Sequence, residues 1–160
     1  MENKLLTLLF FPEFILTLGC LILILLGVFL KKKIFRKISF FSIILLFIVI
    51  LVSLNESTVT FAFYNILFKS SQFILFFKIL ILFGSIASIS ISINYFNDLK
   101  LERFEIPILI LFSTLGMLVL IASNNLMSMY LGIELQSLSL YVIAAINRQS
   151  LKSSESGVKY

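Results

Sequence analysis

Five long apolar runs, separated by short polar breaks, set the pattern of this chain. They fall at roughly residues 11–30, 38–54, 73–95, 106–122 and 125–146. A helix rising about 1.5 Å per residue crosses a hydrocarbon core in about 20 residues, so each run reads as a membrane span. The first run contains Pro12 and Glu13. Proline is tolerated in a first helical turn, and an acid there faces the positive end of the helix dipole, so helix 1 is expected to start near Phe11. The run is too long for the apolar region of a cleaved signal peptide, and its basic cluster follows rather than precedes it, so the span is read as retained. Ser and Ile alternate over residues 88–93 as in a strand, but the length of the surrounding apolar run decides for helix. Pro107 opens the fourth span. Ser123, Asn124 and Asn125 form a tight turn into the fifth. Residues 58–64, within the longest non-spanning segment, are β-branched and aromatic, and a short strand or hairpin at the membrane surface is expected there. A sixth helix is expected to begin near residue 155, capped by Ser153 or Ser154, with Glu155 and Lys159 at i and i+4. The predicted fold is an all-α transmembrane bundle: one membrane domain over residues 1–160, with five full spans and the start of a sixth.

Composition supports this class. The chain is 60% hydrophobic and 13% charged, with a mean hydropathy of +1.12. Soluble domains run nearer 45–50% apolar and about 25% charged. The net charge of +5 is distributed unevenly. Loops after spans 1, 3 and 5 hold Lys31, Lys32, Lys33, Arg36, Lys37, Lys100, Arg103, Arg148 and Lys152, whereas the opposite side holds Lys4 and Lys69. The positive-inside rule puts the first set in the matrix or cytoplasm and the N-terminus in the intermembrane space or periplasm. The basic knot at residues 31–37 is accordingly a topology signal, not a nucleic-acid patch. Cys20 is the one cysteine and histidine is absent. That removes an internal disulfide, a cysteine cluster and the commonest metal ligand, so no metal or redox cofactor is expected on this chain alone. The 18 phenylalanines and the excess of Lys over Arg fit an AT-rich genome such as a mitochondrial one.

The chemistry lies in polar residues inside the spans. Glu134 stands near the middle of the fifth, where a carboxylate costs about 2.5–3.5 kcal/mol on insertion scales. Met127, Tyr130, Ser137 and Tyr141 share its face at helical spacing, which predicts a stripe turned toward protein rather than lipid. Two readings stand beside each other: a proton- or ion-pathway residue, and a carboxylate paired with a basic side chain on a neighbouring helix. Lys78 lies about one and a half turns into the third span. Its ammonium either snorkels to the interface or sits in a buried ion pair. Gly84, Ser85, Ser88 and Ser92 form a small-residue stripe that suits close helix packing. Cys20 reads as a small buried hydrophobe.

Residues 128–141, SMYLGIELQSLSLY, closely resemble the fifth-helix motif of subunit 2 of respiratory NADH dehydrogenase, complex I. The likeness extends along the chain. Phe11-Pro12-Glu13 resembles the family's opening, Phe76-Phe77-Lys78 and the Leu-rich run after it resemble the third helix, and residues 108–117, ILILFSTLGM, resemble the fourth. Residues 154–160, SESGVKY, resemble the start of the sixth, usually closer to STEAGLKY. The resemblance implies an antiporter-like subunit of the membrane arm, in which the family's intramembrane glutamate falls on Glu134 and its sixth- and third-helix lysines fall on Lys159 and Lys78. Tyr130, Ser137 and Tyr141, at helical spacing from Glu134, and Glu155, at i−4 from Lys159, are the candidate supporting residues. The family has about fourteen spans in an inverted-repeat fold, so a second chain, from a split gene, is expected to supply the remaining helices beside Tyr160.

The function implied is a core membrane subunit of proton-pumping NADH:ubiquinone oxidoreductase, contributing charged residues to proton translocation while FMN, iron–sulfur clusters and ubiquinone are handled elsewhere in the assembly. Its expected place is the mitochondrial inner membrane, among other complex I membrane subunits and lipids and away from nucleic acid. The alternatives are a subunit of a related cation/proton antiporter, a structural scaffold of the arm without proton transfer, and a free-standing small transporter.

Overall fold

The computed structural model describes residues 12–29, 35–54, 72–99, 101, 103–147 and 150–159. Six helices lie within them: α1 (Pro12–Phe29), α2 (Phe35–Leu54), α3 (Gln72–Asp98), α4 (Glu105–Ala122), α5 (Leu126–Ala144) and α6 (Leu151–Lys159). The first five are long and apolar enough to cross a membrane. The bundle is all-α, and the Ser–Ile alternation lies inside α3 as helix. The segment at residues 58–64, Lys31, Lys32, Lys33 and Tyr160 lie outside the described residues.

Helices α1 to α4 form a four-helix arrangement in which α1 and α3 each pack on both α2 and α4 and scarcely touch each other. Their shared core contains Leu16 and Leu23 from α1, Leu46 and Val49 from α2, Leu82 and Ile89 from α3, and Leu111, Leu115 and Leu118 from α4. Cys20 is buried in the same core, as expected. The outer faces are equally apolar: Phe40, Phe41, Phe47, Phe76 and Phe83 are exposed. Helices apolar on all sides suit a bilayer, where lipid takes the place that water has around a soluble bundle. Buried hydroxyls on these helices turn back on their own backbone. Ser39, Ser42 and Ser53 donate to the carbonyls of Phe35, Ile38 and Ile50 at 2.7–2.8 Å, which satisfies a polar group where no water is at hand.

Among the described residues, helix α5 joins the four chiefly through α4, by a close backbone approach. A Cβ on Gly116 would lie 2.7 Å from the Gln136 nitrogen and 2.8 Å from the Gly132 carbonyl oxygen, and a Cβ on Gly132 would lie 3.0 Å from the Gly116 carbonyl oxygen. Two glycines facing each other let the helix axes come this near, as small residues do at membrane helix crossings. The small-residue stripe proposed on α3 is not such a crossing. Gly84 has no described atom within 4 Å of where a Cβ would be. Ser88 is exposed, while Ser85 and Ser92 are buried and bond the carbonyls of Leu82 and Ile89. The close approach needs backbone facing backbone, and Gly84 faces open space.

The sixth helix begins at Leu151, about one turn before the expected position, and its cap is neither Ser153 nor Ser154. The Ser153 backbone N–H donates to Ser150 Oγ at 3.1 Å, an N-cap three residues upstream. Ser153 and Ser156 instead turn their hydroxyls to the Ala144 carbonyl, at 2.9 and 3.3 Å. That carbonyl belongs to the last turn of α5, where no intrahelical partner is left. Gly157 meets Ala145 at the same place, so α6 is docked on the end of α5.

Candidate intramembrane charge site

Gly132 fixes where Glu134 points. Two residues further along a helix of 3.6 residues per turn is about 200° round the axis. With Gly132 pressed on α4, Glu134 is carried to the opposite face and is exposed. Ser128 and Ser139 share the buried side with Gly132. Met127 and Tyr130 are exposed with Glu134, and Ser137 and Tyr141 are half-buried. Among the described residues, no helix covers the stripe expected to face protein. Among the described residues Glu134 makes no ion pair.

The supporting residues lie in several places. The Ser137 hydroxyl donates to the Glu134 main-chain carbonyl at 3.1 Å, not to its carboxylate. Tyr141 lines a hollow of about 280 Å³ with Arg103, Glu105 and Ile146 at the far end of α5. Lys159 and Glu155 pair on the exposed face of α6, the arrangement their i, i+4 spacing allows.

Among the described residues, Lys78 is the buried charged side chain. Its side chain is 1% exposed, and its Nζ lies 2.7 Å from Glu13 Oε1, whose side chain is 13% exposed. The snorkelling reading is thereby overturned: the ammonium points inward across the core to α1. Neither Glu13 oxygen makes a hydrogen bond of good geometry, so the contact with Lys78 is an ion pair held by Coulomb attraction. Glu13 was legible only as a first-turn acid matching the helix dipole. The signal that could have paired it with Lys78 is topological. Helices α1 and α3 run in the same direction, and both charges lie near their N-terminal ends.

The structure thus separates the expected site residues into three places: Glu134 on the open face of α5, Lys78 with Glu13 inside the α1–α4 core, and Lys159 with Glu155 on α6. Between α3, α4 and α5 runs a groove of about 490 Å³ lined by Ser85, Ser88, Ser92, Ser113, Thr114 and apolar residues.

Residues 123–160 match a family described as NADH:quinone oxidoreductase/Mrp antiporter, transmembrane. Most of the chain is also similar to bacterial proteins named NADH-quinone oxidoreductase subunit N. It is 40% identical to that of Bartonella bacilliformis over 149 residues, 93% of this chain and 30% of the relative. It is 40% identical to subunit N 1 of Rhizobium meliloti over 152 residues, 93% of this chain and 31% of the relative. With that of Pelagibacter ubique it shares 42% identity over 151 residues, 93% of this chain and 32% of the relative. The chain spans about 30% of the length of the curated relatives it matches.

Proposed function

We propose that this chain forms part of a proton-pumping, antiporter-like subunit in the membrane arm of NADH:quinone oxidoreductase. The observation that carries the reading is the 40% identity over 93% of the chain to proteins of that name, in a bundle that holds a carboxylate mid-helix on α5. The redox chemistry of FMN, iron–sulfur clusters and ubiquinone belongs to other subunits of the assembly. This chain contributes charge: Glu134, Lys78 and Lys159 are the groups proposed to take part in proton translocation. A carboxylate inside a membrane is costly unless it is paired or used, and the crossing of Gly132 on Gly116 holds Glu134 out from the bundle toward a partner.

That partner is a set of further membrane helices. The open face at Met127, Tyr130 and Glu134, and the length of the relatives beside this chain, support it. We place those helices on a second chain of a split subunit, supplying a basic group opposite Glu134, with other complex I membrane subunits and lipid around them. The proposed location is the mitochondrial inner membrane, with the N-terminus on the intermembrane-space side. Residue composition and the basic loops support this, and the relatives named above are bacterial.

Replacing Glu134 with Gln tests the reading. The assembly should form in ordinary amounts while proton translocation driven by NADH falls to a small fraction. Wild-type pumping in the Glu134→Gln assembly would reduce Glu134 to a packing residue.

A second reading, a subunit of a cation/proton antiporter, is favoured by one observation: the family matched by residues 123–160 spans both kinds of protein. Co-purification with flavin and iron–sulfur subunits separates the two.

A further inference from the structure

The Glu13–Lys78 pair joins two helices that scarcely touch. Each of α1 and α3 packs on α2 and α4, leaving the diagonal between them to side chains. Lys78 reaches across it to 2.7 Å from Glu13. Both carboxylate oxygens are buried and make no hydrogen bond of good geometry. Removing two charges from water is costly. Apolar residues of similar size serve stability as well or better, so a buried ion pair is weak evidence of a packing role.

Position adds a second observation. Glu13 is the second residue of α1, Lys78 the seventh of α3 and Glu134 the ninth of α5. At about 1.5 Å per residue these charges lie roughly 2, 9 and 12 Å from their helix starts. Glu13 and Lys78 meet near the starts of α1 and α3, whereas Glu134 stands at the middle of α5. The pair and Glu134 are therefore two separate charge sites of the chain.

We propose that Glu13 is the counter-ion and positioning residue of Lys78, and that the two form a second charge-switching unit of this chain beside Glu134. The carboxylate holds the ammonium inside the core. When positive charge moves nearby, Glu13 is drawn toward it and the pair loosens, so that charge shifts within the core. This rests on the reading of Lys78 given under Proposed function.

Three variants made in the native assembly test it: Glu13→Gln, Lys78→Met and the double neutral Glu13→Gln/Lys78→Met. Two quantities are read, the amount of assembly on a native gel and the protons translocated per electron in sealed vesicles fed NADH. Both single variants are expected to lower the proton yield and the amount of assembly. The double variant is expected to regain assembly, because no lone charge is left in the core, without regaining proton yield. Wild-type yield in the double variant would make the pair a structural tie and overturn the proposal. Loss of yield in Lys78→Met with normal yield in Glu13→Gln would remove Glu13 and leave the reading of Lys78 standing. Normal yield in Lys78→Met would overturn both. Should the double variant not accumulate, the exchanged variant Glu13→Lys/Lys78→Glu keeps the pair neutral overall: assembly with low yield supports the proposal, and assembly with full yield contradicts it.

Discussion

Gly132 and Gly116 face each other so closely that a Cβ on either would press on the other's carbonyl oxygen, at 3.0 and 2.8 Å respectively. The crossing does more than pack α5 on α4. It sets the rotation of α5 and so decides which way Glu134 points.

Enlarging either glycine should therefore disturb charge and packing together. Gly132→Val and Gly116→Val are each expected to destabilise the bundle by about 1–3 kcal/mol, the usual cost of overpacking a close contact. Thermal unfolding of the detergent-solubilised assembly would show it. Gly84→Ala, at a site with open space, should not lower the same transition and should raise it slightly, since Ala is the better helix former.

Lys78 without its carboxylate should be costly in a different way. Breaking a buried ion pair by removing one partner typically costs about 3–5 kcal/mol, so Glu13→Ala is expected to lower the steady-state amount of the assembly. Glu155→Ala, which breaks an exposed pair on α6, is expected to cost no more than about 0.5 kcal/mol. Equal losses in the two variants, measured by immunoblot of native membranes, would contradict the burial seen at Lys78.

The open face of α5 should lie against protein in the membrane. Met127 is 71% exposed beside Glu134, whereas the chain's own Cys20 is 0% exposed. Met127→Cys therefore offers a thiol to a cysteine-directed cross-linker with little background. A product with a polypeptide carrying further membrane helices is expected. Products with lipid-soluble reagent alone would leave the face to lipid.

The junction of α5 and α6 rests on hydroxyls. Ser153 and Ser156 share the Ala144 carbonyl, and Ser150 caps α6. Ser153→Ala is expected to cost about 0.5–1.5 kcal/mol, the net worth of a typical hydrogen bond. It should speed amide exchange in α6 ahead of α5, and exchange that is unchanged in α6 would argue against the dock.

Much of this was legible in the sequence because it is local. A long apolar run reports a span by its own length, and Pro12 and Pro107 mark first turns wherever the helices go. The start of α6 was misplaced because Ser150, Ser153 and Ser154 are equally good caps by type. The Ala144 carbonyl, which engages Ser153, is known only from the fold. Glu134 stood out as a charge in an apolar helix, and Lys78 likewise, but Glu13 was hidden at a helix start where acids are common. Its pairing with Lys78 depends on α1 and α3 sharing an end of the bundle, which no spacing along one helix reveals. The mutual approach of Gly116 and Gly132 was missed for the same reason: each is an ordinary glycine until the other is placed opposite it.

The most direct measurement is the company this chain keeps. Membranes should be solubilised mildly, run on a native gel, stained for NADH oxidation, and every co-migrating protein identified. This chain is expected in a large NADH-oxidising band with flavin and iron–sulfur subunits and with the helices that cover Glu134. Migration apart from any flavin subunit, alone or with a few membrane proteins, would contradict its place in an NADH:quinone oxidoreductase.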